Sequence, residues 1–289
     1  MSRIAGNPIP CWAAARKTRE VFDEAFRDLQ EIGFTAVKAD VPDGMTAAEY
    51  AEWISGYGLS PSLSLFNSPF DETVDMAEEA EKARRFAATQ TALGLDRTMV
   101  SSMSLPARMA QPAVGADFDE GRLTRAIDNC GAICRVLAAE GLRPLHHSHV
   151  GGVFETEYEI TRLLDDLGPD VIGAGPDTGH LTWAGVDAAA FIARYADRVG
   201  GIHIKDCFPD LLDPADRAGM SYHDAQRTKR LWAEPGLGVV DFGAVLAAIP
   251  DDYDGDFMIE VDEPSVESVY ESHRMSYEWA RRSLPDGRR

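Results

Sequence analysis

Basic residues are scarce in this chain. Its 289 residues carry 28 Lys and Arg against 48 Asp and Glu, a formal charge of −20 at pH 7. So acidic a surface repels a phosphate backbone and an anionic bilayer, which leaves nucleic acid and membrane out of the expected partners. Long apolar runs are missing as well. No stretch approaches the ~20 apolar residues of a membrane span. The opening "MSRIAGNPIPCW" has no basic segment leading into an apolar run, so no signal peptide is expected. Cysteine is sparse: Cys11, Cys130, Cys134 and Cys207 form no CxxC pair, and Cys130 and Cys134 lie one helical turn apart in an apolar stretch. Buried free thiols in a reducing cytoplasm are the expectation.

Apolar residues make up 45% of the chain, enough for a full-sized core, and they come in a steady alternation. Short runs read as strands at 3–9, 34–40, 60–66, 96–102, 142–149, 171–177, 201–206 and 256–262. Longer amphipathic patterns between them read as helices. Several close on glycine, as in "TREVFDEAFRDLQEIG", "TAAEYAEWISGYG" and "RLTRAIDNCGAICRVLAAEG". Strands alternating with helices eight times over predict an α/β fold, a parallel (β/α)8 barrel forming one domain over 1–289. The alternative is an open doubly wound sheet. Against it, no GxGxxG follows the first strand and no linker divides the chain. Two longer irregular stretches, 104–121 and 207–240, each follow a strand and so fall on the barrel's C-terminal face. The second reads as a lid-like insertion after the seventh strand.

Alternate residues of a barrel strand point inward and outward. By that parity Ile202 and Ile204 face the helices while His203 and Lys205 face in. Phe257, Ile259 and Val261 face out, and Met258, Glu260 and Asp262 face in. In "LRPLHHSH", His147 and His149 share one parity and His146 takes the other. Asp177 ends the sixth run. Four consecutive strands thus deliver His147, Asp177, His203 and Glu260 at their C-terminal ends. Two imidazoles and two carboxylates suit a first-row divalent cation with positions open to substrate or water. The plainer reading is four polar residues, each satisfied separately.

The segments "HHSHVGGVFETEYEI", "PDTGH", "IHIKD" and "IEVD", in this order, resemble the xylose-isomerase-like barrel superfamily of sugar isomerases and epimerases. Within it the chain is most similar to the inosose dehydratase branch, which "GNPIPCW" and "EPGLGVVDFGAVL" also resemble. The resemblance covers nearly the whole chain and implies a TIM barrel with one divalent metal ion, manganese first, with cobalt, magnesium or zinc as the others. It carries Asp177, His203 and Glu260 over as ligands and puts His147 where the superfamily has a glutamate, as inosose-dehydratase-like sequences tend to do. It also implies a substrate contact for His180. Lys38, in "AVKAD", stands where many relatives carry a glutamate, which implies a substrate other than the usual one.

Epimerases of this class move a proton between two opposed carboxylates, and with His147 in place only Glu260 remains as a catalytic carboxylate. Asp177 and Glu260 with two neutral imidazoles would just neutralise a dication, leaving a stronger Lewis acid than three carboxylates would. That favours a lyase, a dehydratase acting on an inosose or related keto-sugar by proton abstraction beside a metal-polarised carbonyl. His149 is the candidate acid and base, since an imidazole pKa of about 6.5 serves both directions; support of His147 is its other reading. Lys205 is a candidate enolate stabiliser or second acid, or else a buried partner of Asp206 or Asp262. Glu155 and Trp12 complete the expected substrate contacts, although Glu155 and Glu157 also suit the start of a helix. Trp12, Trp183 and Trp232 equally suit ordinary packing, His223 a solvated lid helix and His273 a structural place. The alternatives are a ketose 3-epimerase or sugar isomerase, a lyase cleaving oxidised C-glycosides with a small partner subunit, and a non-catalytic sugar-binding barrel. A small-molecule substrate is the expected partner, with a homo-oligomer or that small subunit beside it.

Overall fold

The computed structural model describes residues 3–13, 17–71 and 73–284. In chain order its first half contains β1 (Ile4–Gly6), α1 (Ile9–Ala13), α2 (Arg19–Ile32), β2 (Ala36–Lys38), α3 (Ala47–Ser55), β3 (Ser60–Ser62), β4 (Leu65–Ser68), α4 (Met76–Ala92), β5 (Arg97–Ser102), α5 (Pro106–Ala110) and α6 (Glu120–Ala139). There follow β6 (Arg143–His147), α7 (Glu157–Leu167), β7 (Gly173–Gly175), α8 (Thr178–Trp183), α9 (Ala188–Arg194), β8 (Ile202–Ile204), β9 (Asp206–Cys207), α10 (Tyr222–Arg227), β10 (Trp232–Ala233), α11 (Phe242–Ala248), β11 (Phe257–Ile259) and α12 (Val269–Ser283).

Two parallel sheets, ordered β3-β2-β1-β11-β8 and β4-β5-β6-β7, make one ring. Single bridges from Ala174 to Val199 and from Asp177 to His203 join β7 to β8. The other seam runs through the expected third strand, which is broken in two. Its first half, β3, pairs with β2 and its second half, β4, pairs with β5. Leu63, at the break, turns into the barrel interior. The first expected strand is also shorter than 3–9: it stops at Gly6, because Pro8 has no amide to donate and α1 starts at Ile9. Helix α4 is one that the apolar pattern does not announce, since its buried face is Ala83, Ala87 and Gln90 rather than large aliphatics.

Strand parity sorts the core into two bodies. Ala5, Ala36, Leu63, Met99, Leu145 and Met258 fill the barrel, while Val37, Val100, Ala174, Ile202, Ile204, Phe257 and Ile259 pack outward on the helices. A third apolar cluster lies apart from both. Ala113, Val150, Trp183, Cys207, Leu211, Tyr222, Leu231, Trp232 and Val261 come from the loops of the C-terminal face and roof it over. Val261 is here because β11 ends at Ile259, so it meets the roof and not the helices. The 207–240 insertion folds back through β9 and β10, which pair antiparallel. Among the described residues no helix is long and apolar enough to cross a membrane.

Candidate active site

Each residue of "DTGH" has a separate task at the end of β7. Asp177 caps α8, its Oδ1 accepting the His180 amide at 2.9 Å, which leaves Oδ2 turned into the barrel. Thr178 Oγ1 accepts the Lys205 amide at 3.0 Å and donates to the Lys205 carbonyl at 2.6 Å, fixing β8 against β7. Gly179 leaves the space that the Lys205 stem fills: a Cβ there would lie 2.6 Å from Lys205 Cγ. His180 then faces the mouth, buried, with Nδ1 accepting from the Val150 amide at 3.3 Å.

His147, Asp177 and His203 converge. One ligand atom from each lies within 4.8 Å of the other two, and all three side chains are buried. His147 Nδ1, Asp177 Oδ2 and His203 Nδ1 are buried without a hydrogen-bond partner among the described residues. Buried polar atoms are almost always partnered, so unpartnered atoms on three converging residues suit a shared cation. Burial, then the neighbouring His203, pushes the His147 pKa well down, so the ring is a neutral donor. The donor set therefore fits a divalent ion. Glu260, the fourth expected ligand, stands beside this group but is turned partly away. Its Oε2 is 2.8 Å from His203 Nδ1, yet out of line for a hydrogen bond, and accepts from Asn7 Nδ2 at 2.5 Å. Its Oε1 accepts from Lys205 at 2.8 Å. Asn7 escaped the sequence reading, although its place at the inward parity just past β1 was a visible signal.

Lys205 is fully buried and donates to Glu260 at 2.8 Å and to Asp262 at 2.9 Å, with His180 Nε2 3.2 Å away. Burial alone would lower its pKa, but Asp177, Asp262 and Glu260 outweigh it and hold the ammonium charged. Its ion-pair partners are thus Asp262 and Glu260, with Asp177 Oδ2 further off at 3.5 Å. Asp206, the other expected partner, serves elsewhere: its carboxylate accepts the amides of Cys207, Gly236, Gly238 and Val240 and pins both ends of the 207–240 insertion.

His149 lies across from His180, ring centroids 3.8 Å apart, and stacks on Tyr222 at 6.1 Å. Its Nδ1 is 2.6 Å from the Val150 carbonyl and so carries the hydrogen, which makes Nε2 the free lone pair. Burial, with Lys205 second, lowers its pKa to about 4, so His149 is a neutral base near pH 7 and not a group poised between two forms. Tyr222 is a roof residue that the sequence reading did not single out; an aromatic directly after the Ser221 cap of a lid helix was the signal. His146 faces the helices as expected, edge-on to Phe154.

Two expected substrate contacts stand away from this cluster. Glu155 is buried with its oxygens on the amides of Val114, Gly115 and Gly151, where it braces two roof loops. The helix start that it was expected to serve is capped by Thr156 with Glu159. Trp12 packs on Phe22 at 4.5 Å, with the Lys17 ammonium over its ring. Trp183 and Trp232 line the roof, and Trp232 lies under Lys205.

Comparisons with known proteins show what the chain is similar to. An inosose dehydratase of Geobacillus kaustophilus is 24% identical over 264 residues, covering 89% of this chain and 85% of that protein. One from Geobacillus thermodenitrificans is 28% identical over 216 residues, 73% of this chain and 70% of the relative. In fold, the chain is similar to the IolI protein crystallised with a zinc atom, at TM-score 0.71 and 12% identity over 98% of both chains. It is likewise similar to AsbF of Bacillus anthracis, a probable 3-DHS dehydratase, at TM-score 0.68 and 11% identity over 97% of this chain and 99% of that one. An L-ribulose 3-epimerase structure matches at TM-score 0.69 and 16% identity, over 98% and 95%. The family description xylose isomerase-like TIM barrel matches residues 26–282, and the chain belongs to that family.

Proposed function

We propose that the chain is a metal-dependent dehydratase, a lyase that removes water from an inosose or a related keto-sugar. The observation that carries this reading is the set of three orphaned, buried donors on His147, Asp177 and His203, with the free nitrogen of His149 close by. His147, Asp177, His203 and Glu260 would hold the ion, a first-row dication for which manganese is our assignment. When bound, the ion supplies Lewis acidity to the substrate carbonyl. His149 Nε2 takes the proton from the carbon beside that carbonyl. It then returns the proton to the hydroxyl leaving from the next carbon, so one water departs and the imidazole is reset. Lys205 keeps Glu260 and Asp262 oriented and adds positive charge where the enolate oxygen develops. His180 and, further out, Trp12 and Glu155 shape the substrate's surroundings. The buried thiols of Cys130 and Cys134, 3.9 Å apart and unlinked, suit the reducing cytoplasm.

Incubation of the manganese-loaded protein with 2-keto-myo-inositol should yield a dehydrated, ultraviolet-absorbing product. His149→Ala should lower that rate by about 100- to 10,000-fold. Return of unchanged substrate from the wild-type protein would sink the dehydratase reading, and recovery of an epimer would point to the ketose 3-epimerase instead.

A further inference from the structure

Lys38 is a second lysine inside the barrel, and nothing in the chemistry above uses it. On β2 the residues on either side of it, Val37 and Ala39, pack outward on the helices, and Ala36 lies in the barrel interior. Lys38 therefore projects inward. The β1–β2 register, extended by one residue, sets it beside Asn7, in the row of Glu260. Its own partner on β3 is Ser62, whose hydroxyl reaches Asp256, four residues below Glu260 on the chain. That row therefore descends across β1, β2 and β3, as strand tilt requires. Lys38 thus stands on the wall opposite β7, since β2 lies four barrel strands from it.

Among the described residues no carboxylate lies within ion-pair distance of Lys38, and the side chain is only half-buried. The next inward position, Asp40, is bound to Lys17. Asp177 and Glu260 would balance a dication, and Asp262 stands against Lys205, so none of these carboxylates is left to pair with Lys38. An ammonium is a compact point charge that matches a single carboxylate, whereas a phosphate would need further donors.

We propose that Lys38 is a specificity-determining residue that binds a carboxylate on the substrate, on the side away from the metal-bound oxygens. The preferred substrate is then an acidic keto-polyol, and a neutral one such as 2-keto-myo-inositol is still dehydrated but bound more weakly. This rests on the dehydratase reading for the orientation of the substrate and adds the identity of its far end.

The test is a binding measurement on manganese-loaded protein, with no turnover read, using quinate as a carboxylated cyclic polyol and myo-inositol as a neutral one. Calorimetric titration should find quinate bound about 10- to 100-fold more tightly than myo-inositol, the worth of one charge-assisted contact. The advantage should vanish in Lys38→Met and in Lys38→Gln, with myo-inositol affinity changed less than about twofold, and should persist in Lys38→Arg. Unchanged manganese affinity in each variant shows that the site is still folded. No preference for quinate in the wild-type protein, or a preference that survives Lys38→Met, would overturn the assignment. Failure on 2-keto-myo-inositol would instead bear on the dehydration itself.

Discussion

Two adjacent histidines in "HHSH" have opposite fates, and a single residue step along the strand separates them. His146 points to the helices, its ring buried against Phe154 with both nitrogens lacking a partner among the described residues, and burial lowers its pKa to about 3. Such a ring gains little from being polar. His146→Phe should leave the protein equally stable or stabilise it by about 1 kcal/mol in thermal unfolding, with metal affinity intact. His147→Phe should leave the fold standing but weaken manganese binding at least about 100-fold in a chelator-competition titration. Equal effects of the two variants on metal binding would refute the division of roles. Parity alone distinguishes this pair, because side-chain direction in a strand has a period of two. The environment of His149 was not legible in that way. Its lowered pKa comes from the roof and from Lys205, neither of which strand parity locates.

Among the elements, the strands bearing ligands were easy to read and the roof was not. β8 and β11 are apolar on one face and polar on the other, so their inward residues can be listed directly from the sequence. The 207–240 insertion has no such period, and its order depends on contacts to main-chain atoms. Arg217 donates to the carbonyls of Pro112, Ala113, Leu211 and Leu212, tying the loop after β5 to the insertion. Asp206 accepts four amides, and a Cβ on Gly238 would lie 2.3 Å from its Oδ1, so only glycine permits this approach. Asp206→Asn would turn an amide nitrogen toward two N–H donors. It should destabilise the protein by about 2–3 kcal/mol in urea unfolding and speed amide hydrogen exchange across 232–240, while manganese affinity is kept. Exchange at the wild-type rate in that segment would mean that Asp206 does not hold the insertion. α4 was missed for a related reason, since a face of alanines carries almost no hydrophobic signal.

For the molecule as a whole, the decisive joint is the one between the two ends of the chain. β1 pairs with β11, Arg3 is bonded to Asp256, and His273 of α12 donates from Nε2 to the Asn7 carbonyl at 3.1 Å. Burial lowers the His273 pKa, so the folded protein takes up a proton on this imidazole less readily than the unfolded chain does. Above the unfolded histidine pKa of about 6.5 neither state is protonated and nothing is lost. Below it the unfolded chain binds a proton more readily than the folded one, so stability falls as pH falls, by at most about 1.4 kcal/mol per pH unit for this group. Urea midpoints between pH 8 and 5 should therefore drop less steeply for His273→Gln than for the wild-type protein, and parallel curves would rule out this histidine. The eightfold rhythm was legible because each strand and helix repeats the same local pattern. The break between β3 and β4 was not, because it reflects how the ring must close and not any residue preference. The same joint bears on biosynthesis. His147, Asp177 and His203 leave the ribosome well before Glu260, which arrives on the last strand. A nascent chain can therefore present three of the proposed donors before the fourth, and the proposed centre is complete only once translation has reached β11.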